Sequence, residues 1–136
     1  MIAENAASFI NEGSALKSDI AAVPNLVARA LVQGRSGDGG VHSEMFADSL
    51  FALALAGEIT DARKSENRGV SVMTFALGSA GTYEYLNDNP RVGAAPVTCT
   101  NDPAVTARNP RMVSINSVLD VDLHGQIVVD TLGVRQ

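Results

Sequence analysis

Residues 69–77, "GVSVMTFAL", form a β-branched and apolar run of the kind that fills a strand buried on both faces. Its neighbours constrain the topology. "SLFALALA" precedes it and reads as a helix, with Asp48 as the expected N-cap and Gly57 as the expected stop. "GSAGTYEYLND" follows it and reads as another helix, closed by Asn89-Pro90. Strands alternate with helices in this way for most of the length. The pattern predicts an α/β domain with a largely parallel sheet, flanking helices and a C-terminal hairpin.

The same reading extends in both directions. "MIAENAASFI" places Ile2, Ala6, Phe9 and Ile10 on one helical face, and "NEG" ends it. "SALKSDI" suits a strand. Pro24 suits the first turn of a helix running through "NLVARALVQ" to Gly34. "GRSGDGG" is a turn-rich loop, and "VHS" a short strand. "VGAAPVTC" reads as a further strand, and "DPAVTARN" as a short helix with Asp102 as cap and Pro103 at its first position. "RMVSINSVLDVDLHGQIVVDTLG" reads as two strands turning at His124-Gly125. No internal repeat, low-complexity segment or linker divides the chain, so residues 1–136 are expected to form one domain.

Composition narrows the function classes. Hydrophobic residues make up 46%, enough for a core, but aromatics only 4%, so Ala, Val, Leu and Ile must fill it. The net charge of −5, with Lys and Arg scattered, argues against a nucleic-acid-binding face. Cys99 is the only cysteine, which rules out an intrachain disulfide and a thiolate cluster, and its plain reading is a small buried core residue. No basic segment followed by an apolar run opens the chain, and the longest apolar run, "LFALALA", is too short to cross a bilayer. The expectation is a soluble, cytoplasmic protein with neither membrane nor nucleic acid as partner.

The chemistry-bearing candidates cluster at "GVHSEM", residues 40–45. In open α/β sheets, sites gather at the carboxyl ends of strands. Glu44 follows one such end and Asn101 another. His42 and Glu44 are two apart, but a third metal ligand is missing, and no H-E-x-x-H or calcium loop is present, so no metal is expected. "GRSGDGG" precedes a strand and matches no phosphate-binding fingerprint. Ser43, His42 and Asp48 would make a triad only on paper, without a G-x-S-x-G elbow. Glu44 itself reads in two ways. It is a carboxylate near a helix start, favoured by the dipole, or a nucleophile that attacks an acyl carbonyl and forms a mixed anhydride.

Six colinear phrases carry a resemblance. "GVHSEMFADSL", "AGEITDARK", "FALGS", "DNPRV", "NDPAVTARNPRMVSINSVLDVDLHGQI" and "LGVRQ" look like the acetyl-CoA hydrolase/transferase family. This group contains 4-hydroxybutyrate, butyrate and succinyl-CoA:acetate CoA-transferases. The resemblance covers nearly the whole chain. It implies a CoA-transferase (NagB/RpiA-like) α/β fold, and a partial, truncated C-terminal domain without the family's N-terminal domain or the glycine-rich loop after "LGVRQ". It implies acyl-CoA and small carboxylic acids as substrates, no permanently bound cofactor and no metal. It maps the catalytic glutamate to Glu44. It places Asn101, in "TNDP", as a carboxamide near that glutamate, and Gly78, in "FALGS", close to the site. Asn116, in "SINS", reads as structural, satisfying backbone groups.

One phrase departs from the family pattern. A glycine-containing turn, much like G-I-G, usually precedes the proline helix; here "SDIAAVP" puts Asp19 and Ala21 at the matching positions. Glycine there lets backbone amides approach the acyl group or CoA, so Ala21 is a substrate-contact candidate and Asp19 adds charge where an anionic cofactor would pass. The leading expectation is a CoA-transferase or acyl-CoA hydrolase acting through a glutamyl-CoA thioester. The isolated chain is expected to be weakly active or inactive, and to need an N-terminal partner domain or a homo-oligomer. The alternative is a non-catalytic α/β subunit or remnant that keeps the fold. A sugar-phosphate isomerase-like domain, related in fold, would need a phosphate loop after a strand, and none is convincing.

Overall fold

The apolar run 69–77 folds as two short strands, not one. The computed structural model describes residues 2–19, 22–34 and 37–129. In chain order the elements are α1 (Ile2–Ala7), β1 (Ala15–Ser18), α2 (Ala22–Gly34), β2 (Gly40–Val41), β3 (Met45–Ala47), α3 (Asp48–Leu55), β4 (Ser71–Met73) and β5 (Phe75–Leu77). They continue as α4 (Ala80–Leu86), β6 (Val92–Ala94), α5 (Val97–Thr100), α6 (Pro103–Thr106), β7 (Met112–Ile115), β8 (Asp120–Val121) and β9 (Ile127–Val128). The break at Thr74 hands the chain from one ladder to another: β4 pairs with β6, and β5 pairs with β3.

The predicted α/β class with a parallel sheet holds. β1 lies between β2 and β7, parallel to both. The β3–β5 and β4–β6 ladders are also parallel, and the antiparallel β8–β9 pair closes the described chain. α2 buries Pro24, Val27, Ala28 and Leu31, spaced three and four apart along one stripe. That stripe meets Leu50 and Leu53 of α3, and Leu16, Val41 and Phe46 from the strands, in one core. Phe46 stacks on Tyr85 of α4 with ring centroids 6.1 Å apart.

The edge of β2 that faces away from β1 is closed by side chains. Gly40 and His42 donate their backbone N–H groups to Ser14 and Leu16 on the β1 side. The N–H and C=O of Val41 point the other way. Asp61 Oδ1 accepts from Val41 N at 2.7 Å, and Lys64 Nζ donates to the Val41 carbonyl at 2.6 Å. Lys64 also donates to the Val70 carbonyl at 2.6 Å, and Ser71 Oγ donates to Asp61 Oδ2 at 2.6 Å. A buried ion pair thus joins β2 to β4 where no backbone ladder does.

Several expectations need correction. Asp48 does not cap its own helix: Ala47 is the N-cap of α3, and Asp48 is its first residue. Its Oδ1 instead accepts from Ser79 N at 2.8 Å, from Ser79 Oγ at 2.9 Å and from Thr82 Oγ1, so it serves the start of α4. "VGAAPVTC" is strand only through Ala94; Pro96 then opens α5. The C-terminal stretch holds three strands, since Met112–Ile115 joins β1 and a separate hairpin follows. Its turn does fall at His124-Gly125, with Gly125 at φ +80°. Cys99 is half-buried, not a core residue. Asp102 caps α6 as expected, accepting from Ala104 N at 2.7 Å with Pro103 behind it. Ala21 lies outside the described residues. No helix among the described residues is long and apolar enough to cross a membrane.

Candidate active site

Glu44 sits between β2 and β3, where the chain leaves one ladder and enters another. Its backbone is fixed from both sides. The Glu44 carbonyl accepts from Thr74 N at 2.8 Å and from Phe75 N at 3.0 Å, the two N–H groups at the β4–β5 break. One residue earlier, Ser43 N donates to the Val72 carbonyl at 3.0 Å. The Ser43 hydroxyl donates to the Ser18 carbonyl at 3.3 Å and accepts from Ser18 N at 3.2 Å, tying the segment to the end of β1. The half-buried Glu44 side chain then enters a cavity of about 250 Å³, shared with Lys17, Asp19, Ser43, Phe75 and Asn116. The cavity lies beyond the carboxyl ends of β1 and β7, where parallel sheets collect their sites.

A second element brings Asn101 to the same carboxylate. Asn101 is the C-cap of α5 and precedes the Asp102 cap of α6. Two contacts pin α5: Thr100 Oγ1 lies 2.7 Å from Thr74 Oγ1, and the Cys99 carbonyl lies 3.3 Å from His42 Nε2. From this position Asn101 Nδ2 donates to Glu44 Oε2 at 2.7 Å. Lys17 Nζ donates to Asn101 Oδ1 from the opposite side. An ammonium offers only donors, so its partner atom on Asn101 must be the oxygen, and the nitrogen must face Glu44.

The other candidates go elsewhere. Gly78 packs against α3 and α4: a Cβ there would lie 2.7 Å from Asp48 Oδ1 and 2.9 Å from Thr82 Oγ1. His42 is fully buried and its Nδ1 has no hydrogen-bond partner among the described residues. Burial, then the charge of Lys64, holds its pKa below the ordinary 6.5, against the pull of the Cys99 carbonyl. Ser43 is spent on Ser18, His42 on Cys99 and Asp48 on α4, so the three side chains form no triad. Among the described residues no group of three His, Cys, Asp or Glu side chains could hold a metal ion. Asn116 donates to Ser114 Oγ at 3.0 Å rather than to backbone, and lines the cavity.

Lys17, Ser18, Met45 and Phe75 are the cavity residues that sequence reasoning passed over. Lys17 stood as one of ten scattered cations. Its signal was positional: it is the half-buried residue between buried Leu16 and buried Ser18, near the carboxyl end of β1.

The family model described as acetyl-CoA hydrolase/transferase C-terminal domain matches residues 78–136. Butyryl-CoA:acetate CoA-transferase of Anaerostipes caccae is 41% identical over 127 residues, covering 93% of this chain. Residues 78–136 match the acetyl-CoA hydrolase/transferase family, and the chain is similar to its CoA-transferases over nearly its whole length. The 4-hydroxybutyrate coenzyme A transferase of Clostridium kluyveri is 38% identical across 99% of the chain. Among solved structures, RipA from Yersinia pestis superposes with a TM-score of 0.91 at 38% identity over 96% of the chain. The chain spans 28% and 31% of the two curated relatives and 30% of RipA. The family fold is therefore present across the described residues. Glu44 and Lys17 lie in the part before residue 78 that the relatives cover and the family model does not.

Proposed function

We propose that this chain carries the nucleophile of an acyl-CoA:carboxylate CoA-transferase or acyl-CoA hydrolase. The observation that carries the reading is the Asn101–Glu44 hydrogen bond at 2.7 Å, which sets a carboxamide donor on a carboxylate at the wall of a cavity. Similarity to CoA-transferases over nearly the whole chain supports it.

In this reading a Glu44 oxygen attacks the thioester carbonyl of an acyl-CoA. The C–S bond breaks, CoA leaves as thiolate, and an acyl-glutamyl anhydride remains. The thiolate attacks the Glu44 carbonyl carbon, the anhydride C–O bond breaks, and the first carboxylate departs. A glutamyl-CoA thioester is left. An acceptor carboxylate runs the same steps backwards and leaves as its own CoA ester. Water attacking either intermediate returns Glu44 and gives net hydrolysis. Each tetrahedral intermediate needs a donor near its oxyanion, and Asn101 Nδ2 is in place to serve those centred on the Glu44 carbon.

The test is intact-mass analysis after incubation with acetyl-CoA. It is run on the chain alone and with a protein supplying the region of the relatives that this chain does not span. The expected result is a CoA adduct on Glu44 that is absent in Glu44→Gln. An adduct under neither condition would leave the second reading, a non-catalytic subunit that keeps the fold. One feature favours that second reading: Asp19 lines the same cavity, where an anionic substrate would meet it.

A further inference from the structure

We infer that Lys17 is a positioning residue for the nucleophile, acting through Asn101. The inference rests on the reading of Glu44 given above and extends it to a residue with no contact to Glu44 of its own in this geometry.

While Glu44 is ionised, Asn101 needs no help: a carboxylate accepts hydrogen bonds only, so it selects the amide nitrogen by itself. The situation changes once Glu44 is acylated or thioesterified. Its charge is gone, and the pull on the Asn101 amide falls to that of a neutral carbonyl. An exposed asparagine capping a four-residue helix is then able to rotate and present either end. Lys17 removes that freedom. Its ammonium holds Oδ1 from the β1 side, so Nδ2 stays aimed at the Glu44 oxygen through the uncharged intermediates. The donor is thus kept ready for the next tetrahedral oxyanion without reorganisation.

Placement supports the role. Lys17 belongs to the central strand of the three-stranded sheet: it pairs with Ser114 on one side, and the preceding Ala15 and Leu16 pair with Gly40 and Val41 on the other. Its stem is therefore anchored on the most constrained strand present, while Asn101 comes from the less regular α5–α6 corner. A strand paired on both sides thus fixes the orientation of an exposed side chain.

The test needs no turnover. Glu44→Gln supplies a neutral side chain at position 44, and the Asn101 side-chain amide is followed by ¹⁵N–¹H NMR in the full chain. With Lys17 present, one of the two Nδ2 protons should stay shifted downfield by its hydrogen bond. In Glu44→Gln with Lys17→Met, that downfield shift should be lost, with Nδ2–H exchange rising on the order of tenfold as the orientation is no longer held. Lys17→Arg in place of Lys17→Met should restore the signature. Unchanged Asn101 signals in Lys17→Met would overturn the inference. So would shift changes and faster exchange shared by amides throughout β1 that Arg fails to rescue, since that marks a strand defect. The CoA-adduct experiment reports on Glu44 chemistry and this one on Asn101 orientation, so each can fail without the other.

Discussion

Lys64 Nζ lies 3.4 Å from Asp61 Oδ1, and both side chains are buried. Together they satisfy the backbone of Val41, from which His42 and Ser43 lead directly into Glu44. Removing one member leaves the other as a buried charge without its partner. Lys64→Met and Asp61→Asn should each destabilise the chain by about 3–5 kcal/mol. The double variant should cost clearly less than the sum. Urea denaturation of the four proteins checks this, and additive effects would count against the clamp.

His42 gives the fold an acid sensitivity. Its folded pKa lies below 6.5, the ordinary value that the unfolded chain regains. Below that pH the unfolded state binds a proton that the folded state refuses. Stability therefore falls as the pH drops from about 6.5 toward the folded pKa, and is flat in this respect above it. His42→Gln should remove this slope. Denaturation midpoints measured at intervals from pH 7.5 to 5 would show it, and an identical slope in the variant would assign the effect to other groups.

Gly78 has no room for a side chain. An added methyl would press on Asp48 Oδ1 and on Thr82, the atoms that hold the start of α4. Gly78→Ala should destabilise the chain by about 1–3 kcal/mol through overpacking. Its thermal melt should shift down while hydrogen exchange accelerates first at Ser79 and Thr82. If the melt stays put and CoA-adduct formation alone suffers, Gly78 acts on substrate instead.

Two substitutions bear on the proposed chemistry in opposite directions. Asn101→Ala should slow adduct formation on Glu44 by about 10–100-fold, the loss expected for a hydrogen bond to a charged group. Asp19→Asn should speed it about two- to threefold, because one negative charge leaves the path of an anionic substrate. The Asp19 effect should fade at high ionic strength. Adduct formation followed by mass against time in low and high salt measures both.

Much of this architecture was legible because its signals are local. Pro24, Val27, Ala28 and Leu31 spell out the buried stripe of α2, and Asp102-Pro103 announces α6. What stayed hidden depends on distant partners. Asp48 has the look of a cap for the helix it begins, and only the fold shows that it serves Ser79, 31 positions on. Val97-Thr98-Cys99 has strand-like content, but anchoring of Cys99 to His42 and Thr100 to Thr74 makes it helical. The split at Thr74 is invisible because both halves are apolar and only the pairing partner changes. In the site, "GVHSEM" and "TNDP" stood out as motifs, and the structure brings Glu44 and Asn101 into contact. A single lysine carries no motif, so Lys17 did not stand out.

The seam between the two ladders is held by the main chain of Glu44, whose carbonyl gathers the N–H groups of Thr74 and Phe75. Its carboxylate takes no part in that join. Shape and chemistry are thus assigned to different atoms of one residue. A lineage that lost the acid at position 44 would keep its join and with it the fold. Such a descendant would pass every test of folding while doing no chemistry, which makes this architecture ready ground for proteins that outlive their catalytic past.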